Sequence, residues 1–289
     1  MLRMDRYDLY EACVQRPAEL AAFLSRAHAN EPLSLREDFC GSAALCRAWV
    51  TARPDAARRA VGIDLEPAVI HVAKRRLGLI NPAQRARISL VAGNALHPPH
   101  RPEDVAPDIV FVGNFSLGEI DSRTDLISYL AASRARLAPG GVFAADTFGG
   151  ASSLRVGAVQ RIGTLADELQ RQRRVRYTWE QRRVHALRAH VECALHFRVE
   201  AAPGDGEPGE IVAEFPDAFV YRWRLWSVPE LCDALREAGF TEIDVWRDLH
   251  DRPLMKLRGR SGDAPVEDES AADLESIAES HIVCLVARK

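Results

Sequence analysis

Four polar clusters, each closing a short apolar run, hold the side chains of this sequence best suited to chemistry. They are Glu37 to Gly41 in "REDFCGSAALC", Asp64 in "VGIDLEP", Gly93-Asn94 in "AGNALHPP" and Asn114-Phe115-Ser116 in "GNFSLGEI". One acid at a strand end is most often a turn or cap residue, because Asp bonds readily to nearby backbone. Four such groups in order carry more weight, since ligands of an open parallel sheet sit outside the carboxyl ends of its strands. Asp64 stands 23 residues after Gly41, and a carboxylate placed there accepts both hydroxyls of a ribose. The turn before it is poor in glycine: of the pattern G-x-G-x-x-G only Gly41 is present, behind the bulky Phe39. A diphosphate needs a glycine-rich turn so that backbone N–H groups and a helix N-terminus face the anion. The turn suits a ligand with an adenosine and no phosphate, whose amino acid end Glu37 and backbone groups would hold. S-adenosylmethionine has that chemistry.

The elements around these clusters alternate. "PLSLRED", "RRAVGIDL", "ARISLVAG", "PDIVFVGN" and "GVFAADTFGG" read as strands, with helices "SAALCRAWVTA", Pro67 to about Leu77, and "SRTDLISYLAASRARLA" between them. Such alternation indicates a parallel sheet covered on both faces. Near the C-terminus, "SVPELCDALREAGF" reads as a helix with Ser227 as N-cap and Gly239 as its stop. "TEIDVWRDL" and "SHIVCLVARK" follow as strands, the last one antiparallel to its neighbour, giving seven in the main sheet. The acidic stretch "RGRSGDAPVEDESAADLESIAE" between them reads as a loop or weak helix.

From about 170 to 226 the pattern changes to aromatic and β-branched runs, "RRVRYTWEQRRV", "AHVECALHFRVE" and "EIVAEFPDAFVYRWRLW". These predict a small antiparallel meander inserted into the α/β unit. Aromatic walls with a few polar groups are what a small organic substrate needs, and an Arg fork selects a carboxylate or phosphate. The candidates there are Tyr177, Glu180 and His196 as catalytic groups and Trp179, Arg222, Arg224 and Trp226 as substrate-binding groups. The bland reading of each is a strand residue buried or exposed by alternation. His97 and His100 flank two prolines in "HPPH" without a carboxylate cluster, so no metal is expected.

The motifs resemble those of class I S-adenosylmethionine-dependent methyltransferases acting on small molecules. The family's first motif reads acid-x-Gly-x-Gly-x-Gly; Glu37 matches the acid and Gly41 the middle glycine, while Phe39 and Ala43 stand at the outer glycine positions. The resemblance implies that Gly41 and Ser42 approach the methionine part. Asp64 becomes the ribose ligand and Leu65 a wall of the adenine slot, with Asn94 and Ala95 at the adenine edge and Asn114 and Phe115 beside the methionine moiety. The opening "RYDLYEACVQRP" is similar to N-terminal lid helices, with Tyr10 expected over the cofactor. The implied fold is a Rossmann-like, seven-stranded, mostly parallel sheet with helices on both faces and an inserted antiparallel cap. Its expected boundaries are a helical lid over 1–30, the cofactor-binding domain over 31–165 and 226–289, and the substrate cap over 166–225.

Composition bounds the alternatives. The 289 residues are 47% hydrophobic and 27% charged, with a net charge of −3. No overall basic field draws such a chain to nucleic acid or anionic lipid. There is no apolar run of roughly 18 residues that a membrane span requires. Six scattered cysteines without a CxxC pattern indicate reduced thiols and a cytoplasmic protein. The expected partners are a small-molecule substrate and, as an allowed assembly, a second copy in a homodimer. Two other enzyme classes stay open: a nicotinamide-dependent oxidoreductase, favoured by Asp64 and opposed by the glycine-poor turn, and a nucleic-acid methyltransferase using "RQRRVRYTWEQRR". A non-enzymatic adenosyl-ligand binder also fits the binding residues.

Overall fold

The computed structural model describes residues 4–53, 57–98, 105–167, 171–202, 206–207, 209–249, 253–258 and 271–289. In chain order the elements begin with α1 (Arg6–Cys13), α2 (Pro17–His28), β1 (Ser34–Asp38), α3 (Ala44–Thr51), β2 (Arg59–Asp64) and α4 (Pro67–Arg76). Next come α5 (Pro82–Arg85), β3 (Ile88–Ala92), β4 (Ile109–Val112), α6 (Arg123–Arg136) and β5 (Val142–Gly149). Four long strands follow: β6 (Gly157–Ala166), β7 (Gln172–His185), β8 (His190–Glu200) and β9 (Ile211–Arg224). The chain closes with α7 (Val228–Glu237), β10 (Glu242–Arg247), β11 (Pro253–Arg258), α8 (Ala271–Glu279) and β12 (His281–Arg288). Among the described residues no helix is long and apolar enough to cross a membrane.

Two compact units result, one of Pro17–Ser153 and Trp226–Lys289 and a smaller one of residues 4–16 and Leu154–Leu225. In the larger unit the strand order is β11-β10-β12-β5-β4-β1-β2-β3. Strands β1 to β5 run parallel, whereas β10, β11 and β12 pair antiparallel. The order reverses between β1 and β4, the switch point where such sheets bind ligands. β1 and β4 are buried along their whole length, as expected of strands covered on both faces. One face packs Phe23, Leu24, Trp49 and Ile70 from α2, α3 and α4. The other packs Leu126, Tyr129, Leu130, Leu231 and Leu235 from α6 and α7.

Local signals set the helix ends. Pro67 opens α4, the Ser122 hydroxyl caps α6, and α7 has a full capping box between Ser227 and Glu230. Gly239 stops α7 at φ 97°, a left-handed position natural to glycine.

The main sheet has eight strands, one more than expected. The addition is β11, a short edge strand whose run "PLMKLR" is interrupted by Lys256 and follows no clear alternation. The acidic stretch before β12 forms a helix over α8, and residues 259–270 of it lie outside the described residues. His100 lies outside them as well.

The smaller unit is a four-stranded antiparallel sheet, β6-β7-β8-β9. Its apolar face packs Val175, Leu195, Phe197 and Val199 with Leu9 of α1. The expected cap boundary at 166 is corrected to Leu154, because β6 pairs with β7 over its full length. β6 is almost wholly exposed and carries two glycines, so it shows none of the alternation by which a half-buried strand is read. The expected lid over 1–30 is not one element either. α1 joins the smaller sheet, while Phe23, Leu24 and Ala27 of α2 enter the larger unit's core.

Candidate functional site

The turn after β1 answers for its missing glycines. Phe39, Gly41 and Ala43 all adopt left-handed backbone, at φ 59°, 53° and 58°. These are the three positions where glycines stand in the pattern the sequence resembles. A left-handed conformation costs a non-glycine residue roughly 1–2 kcal/mol, so the surroundings must impose it. They do so through backbone bonds from Cys40 N–H to Ile63 O (2.9 Å) and from Ala43 N–H to Cys40 O (2.8 Å). Arg47 adds a guanidinium bond to Ser42 O at 2.7 Å, and Phe39 packs against Ile63, Val91 and Ala95. A Cβ built on Gly41 meets nothing within 4 Å, so the turn is open above its glycine.

Asp64 closes the end of β2 and reaches back to this turn. Its Oδ2 accepts the Gly41 N–H at 2.9 Å and its Oδ1 the Glu66 N–H at 3.1 Å. Each oxygen retains lone-pair capacity for a ligand hydroxyl. Half-burial raises its pKa, opposed by those two backbone bonds. Leu65 beside it is 63% exposed, an apolar side chain at the rim that no core residue requires. Asn94 is exposed and its Oδ1 accepts the Leu96 N–H at 2.9 Å, while Ala95 is buried.

Glu37 is buried, and burial pushes its pKa up to about 7. Its Oε2 accepts the Cys46 N–H at 3.2 Å and the Cys46 Sγ–H at 3.0 Å. Cys46 lies in the first turn of α3, so this carboxyl group sits where a helix N-terminus would otherwise attract an external anion. Asp38, on the opposite face of β1, bonds to Arg36 Nε (2.9 Å) and the Tyr129 hydroxyl (2.8 Å) within the core.

The turn after β4 is left-handed twice in succession, at Asn114 (φ 54°) and Phe115 (φ 62°). Both N–H groups point at one carboxylate: Asp146 Oδ2 accepts from Asn114 at 3.0 Å and Oδ1 from Phe115 at 2.7 Å. The Phe115 ring rests on Phe148 with centroids 4.8 Å apart. Asp146 was not among the sequence candidates, although an acid near the end of the apolar strand "VFAADTF" is a visible signal. Burial raises its pKa to about 6, aided by the like charge of Asp248.

In the smaller unit the three catalytic candidates separate. Tyr177 and Trp179 lie on the face that packs α1. Glu180 and His196 lie on the other, since successive strand residues alternate. Tyr177 faces Phe197, and Trp179 stacks on Tyr221 and Trp223 at 6.3 Å and 5.8 Å. Both are half-buried and pack against the core of this unit. His196 Nε2 lies 3.0 Å from Glu180 Oε2, and its Nδ1 accepts the Asp217 N–H at 3.0 Å. An Nδ1 that accepts carries no proton, so Nε2 donates to Glu180 and neither nitrogen is open to receive a substrate proton. Arg182 bonds Glu180 Oε2 at 2.6 Å and also Asp217. Tyr177 thus sits on a packed face, and Glu180 and His196 in a polar network with Arg182 and Asp217.

The other candidates have similar explanations. Arg222 pairs with Glu192 across the strands at 3.1 Å, and Arg224 is half-buried at the end of β9. Trp226 is buried in the larger unit, its indole N–H donating to Ile120 O at 3.0 Å. Tyr10 packs on Phe219 at 4.8 Å within the smaller unit. Arginines of the "RQRRVRYTWEQRR" run pair with the chain's own acids, Arg171 and Arg173 with Asp167, Arg176 with Glu200, Arg182 with Glu180 and Asp217. Among the described residues no group of three or more His, Cys, Asp or Glu side chains is placed to hold a metal ion.

No family model and no curated protein matches the sequence. Solved structures do match. An S-adenosylmethionine-dependent methyltransferase from Clostridium acetobutylicum superposes with a TM-score of 0.63 at 14% identity, over 97% of this chain and 96% of that one. An amino pentose methyltransferase from Micromonospora echinaspora, solved with S-adenosylmethionine bound, gives 0.61 at 18% identity over 100% and 99%. A sugar N-methyltransferase from a Streptoalloteichus species gives 0.60 at 16% identity over 100% and 94%. The chain shares the Rossmann-like fold of these methyltransferases.

Proposed function

We propose that this chain is an S-adenosylmethionine-dependent methyltransferase that moves a methyl group to a small organic acceptor by in-line displacement. The observation that carries the reading is the first turn: three left-handed residues, an open space above Gly41, and the Gly41 N–H tied to the strand-end carboxylate of Asp64. The bound cofactor supplies an electrophilic methyl group on a sulfonium.

The chain's own residues bind and orient. Asp64 holds the ribose hydroxyls with the lone pairs its two backbone bonds leave free. Leu65 and Ala95 give the adenine an apolar slot, and Asn94 its polar edge. Gly41 and Ser42 flank the methionine part, with Glu37 beneath the turn and Asn114 and Phe115 beside it. Positioning supplies most of the rate in such a displacement, because a correctly held pair reacts as one molecule. One compared structure is named an amino pentose methyltransferase and another a sugar N-methyltransferase, which makes an amine on a small polar acceptor the first class to test. Five of the six cysteines are buried and no disulfide joins them, which supports a cytoplasmic setting.

A nicotinamide dinucleotide fits less well. The carboxyl group of Glu37 already takes a first-turn N–H of α3, where a diphosphate would have to sit. A nucleic-acid substrate is opposed by the internal pairing of the arginine run. Calorimetric titration with S-adenosylmethionine tests the proposal. Binding in the micromolar range supports it, and no heat at concentrations of about 1 mM overturns it.

A further inference from the structure

We propose that Asp146 is a positioning residue whose carboxylate sets the Asn114–Phe115 turn in the shape that the cofactor site requires. The inference rests on the proposed function for the meaning of that site and on the geometry for everything else. Two consecutive non-glycine residues, one of them Phe, hold left-handed backbone, which is uncommon and needs a cause. Successive N–H groups in such a turn converge into a small anion-binding hollow. Here the chain fills the hollow itself, one carboxylate oxygen to each N–H, at 3.0 Å and 2.7 Å.

The register explains why Asp146 can do this. Val112, the last residue of β4, pairs with Ala145, so Asp146 is the next residue along β5 and lies beside the point where β4 turns away. On its other side Asp146 pairs with Cys284 of β12, which fixes the strand laterally. Two residues further on, Phe148 carries the Phe115 ring. One strand therefore grips the turn by its backbone and its side chain together. The turn lies at the switch point of the sheet, on the strand next to the Phe39–Ala43 turn. A carboxylate behind it acts on a ligand through the turn, without touching it.

The test compares Asp146→Asn with the unaltered chain, using S-adenosylhomocysteine as the binding probe. Asn keeps the shape and replaces one acceptor oxygen by a donor. The expected result has two parts. Amide hydrogen exchange at Asn114 and Phe115 rises at least tenfold while that of Phe111 in β4 stays unchanged, and the Kd for S-adenosylhomocysteine rises at least tenfold. A control, Trp49→Phe, loses an indole hydrogen bond to Leu33 O at the other end of β1 and keeps the original Kd, which separates positioning from general destabilisation. Unchanged exchange at the two amides overturns the proposal. So does faster exchange with a Kd within twofold of the unaltered chain. If the unaltered chain binds no S-adenosylhomocysteine, the proposed function itself fails, and faster exchange in the variant then reports a structural turn only. Should Asp146→Asn not fold, Asp146→Glu, which keeps the charge and displaces it by one methylene, is read by the same two measurements.

Discussion

Replacing Ala43 by glycine probes the strained first turn without touching a ligand. At φ 58° the alanine is left-handed, and it is wholly buried at the N-cap of α3. Glycine relieves roughly 1–2 kcal/mol of backbone strain. It forfeits about 0.8 kcal/mol for the buried methyl and about 0.4–1 kcal/mol through the freer unfolded chain. These terms cancel at their midpoints, so Ala43→Gly is expected to change stability by less than about 0.8 kcal/mol, the spread of that sum. Ala44, the next residue, is also buried but lies in the first turn of the right-handed helix. Ala44→Gly relieves nothing and loses the methyl and helix propensity together, for about 1.5–2 kcal/mol. With the Ala43 terms at their midpoints, and at about 2–4 °C per kcal/mol for a chain region of this size, the two variants differ in melting temperature by roughly 3–8 °C. Differential scanning fluorimetry of the three proteins side by side reads this directly. Equal losses for the two glycine variants would refute the left-handed assignment at Ala43 and the account of the turn built on it.

Three further outcomes are expected. Burial holds the Glu37 carboxyl at a pKa of about 7 against 4.5 for an ordinary glutamate; the folded chain then keeps a proton that the unfolded chain releases, so stability falls as pH rises from about 4.5 to 7, and in urea melts Glu37→Gln shows a smaller fall, the part due to Asp146 remaining. His28 is buried with both ring nitrogens unpartnered and its pKa lowered by burial; stability is lost as pH drops below about 6.5, the unfolded value, and His28→Gln flattens that acid limb. Tyr177→Phe keeps the ring that packs against Phe197 and is expected to leave methyl-transfer kcat/KM within about twofold, since a general acid or base would have contributed about 100-fold or more.

The parts of the fold that were legible in the sequence are those whose signals are local. Pro67, Ser122, Ser227 and Gly239 end their helices where the sequence places the ends, because caps act within one turn. The alternating strands and helices of the first half predict the parallel sheet, and the aromatic runs predict three of the four strands in the smaller one. β6 and β11 escaped because β6 is almost wholly exposed and β11 is short and broken by Lys256, so neither develops a readable period. In the site, Gly41 and Asp64 were legible through their spacing, and the structure joins them by one hydrogen bond. Asp146 was not, since its meaning depends on a backbone 31 residues away that only the sheet register brings near. Tyr177 and Glu180, at odd and even positions on one strand, lie on opposite faces of the smaller sheet, as their parity dictates.

The account turns on whether the carboxylate at position 64 holds an adenosyl ligand at the rim of the sheet. Titration calorimetry of S-adenosylhomocysteine into the unaltered chain and into Asp64→Ala measures this most directly. Loss of two hydrogen bonds to a charged group, at about 1.5–3 kcal/mol each, predicts binding at least 100-fold weaker in the variant. Equal affinity in the two proteins would contradict it.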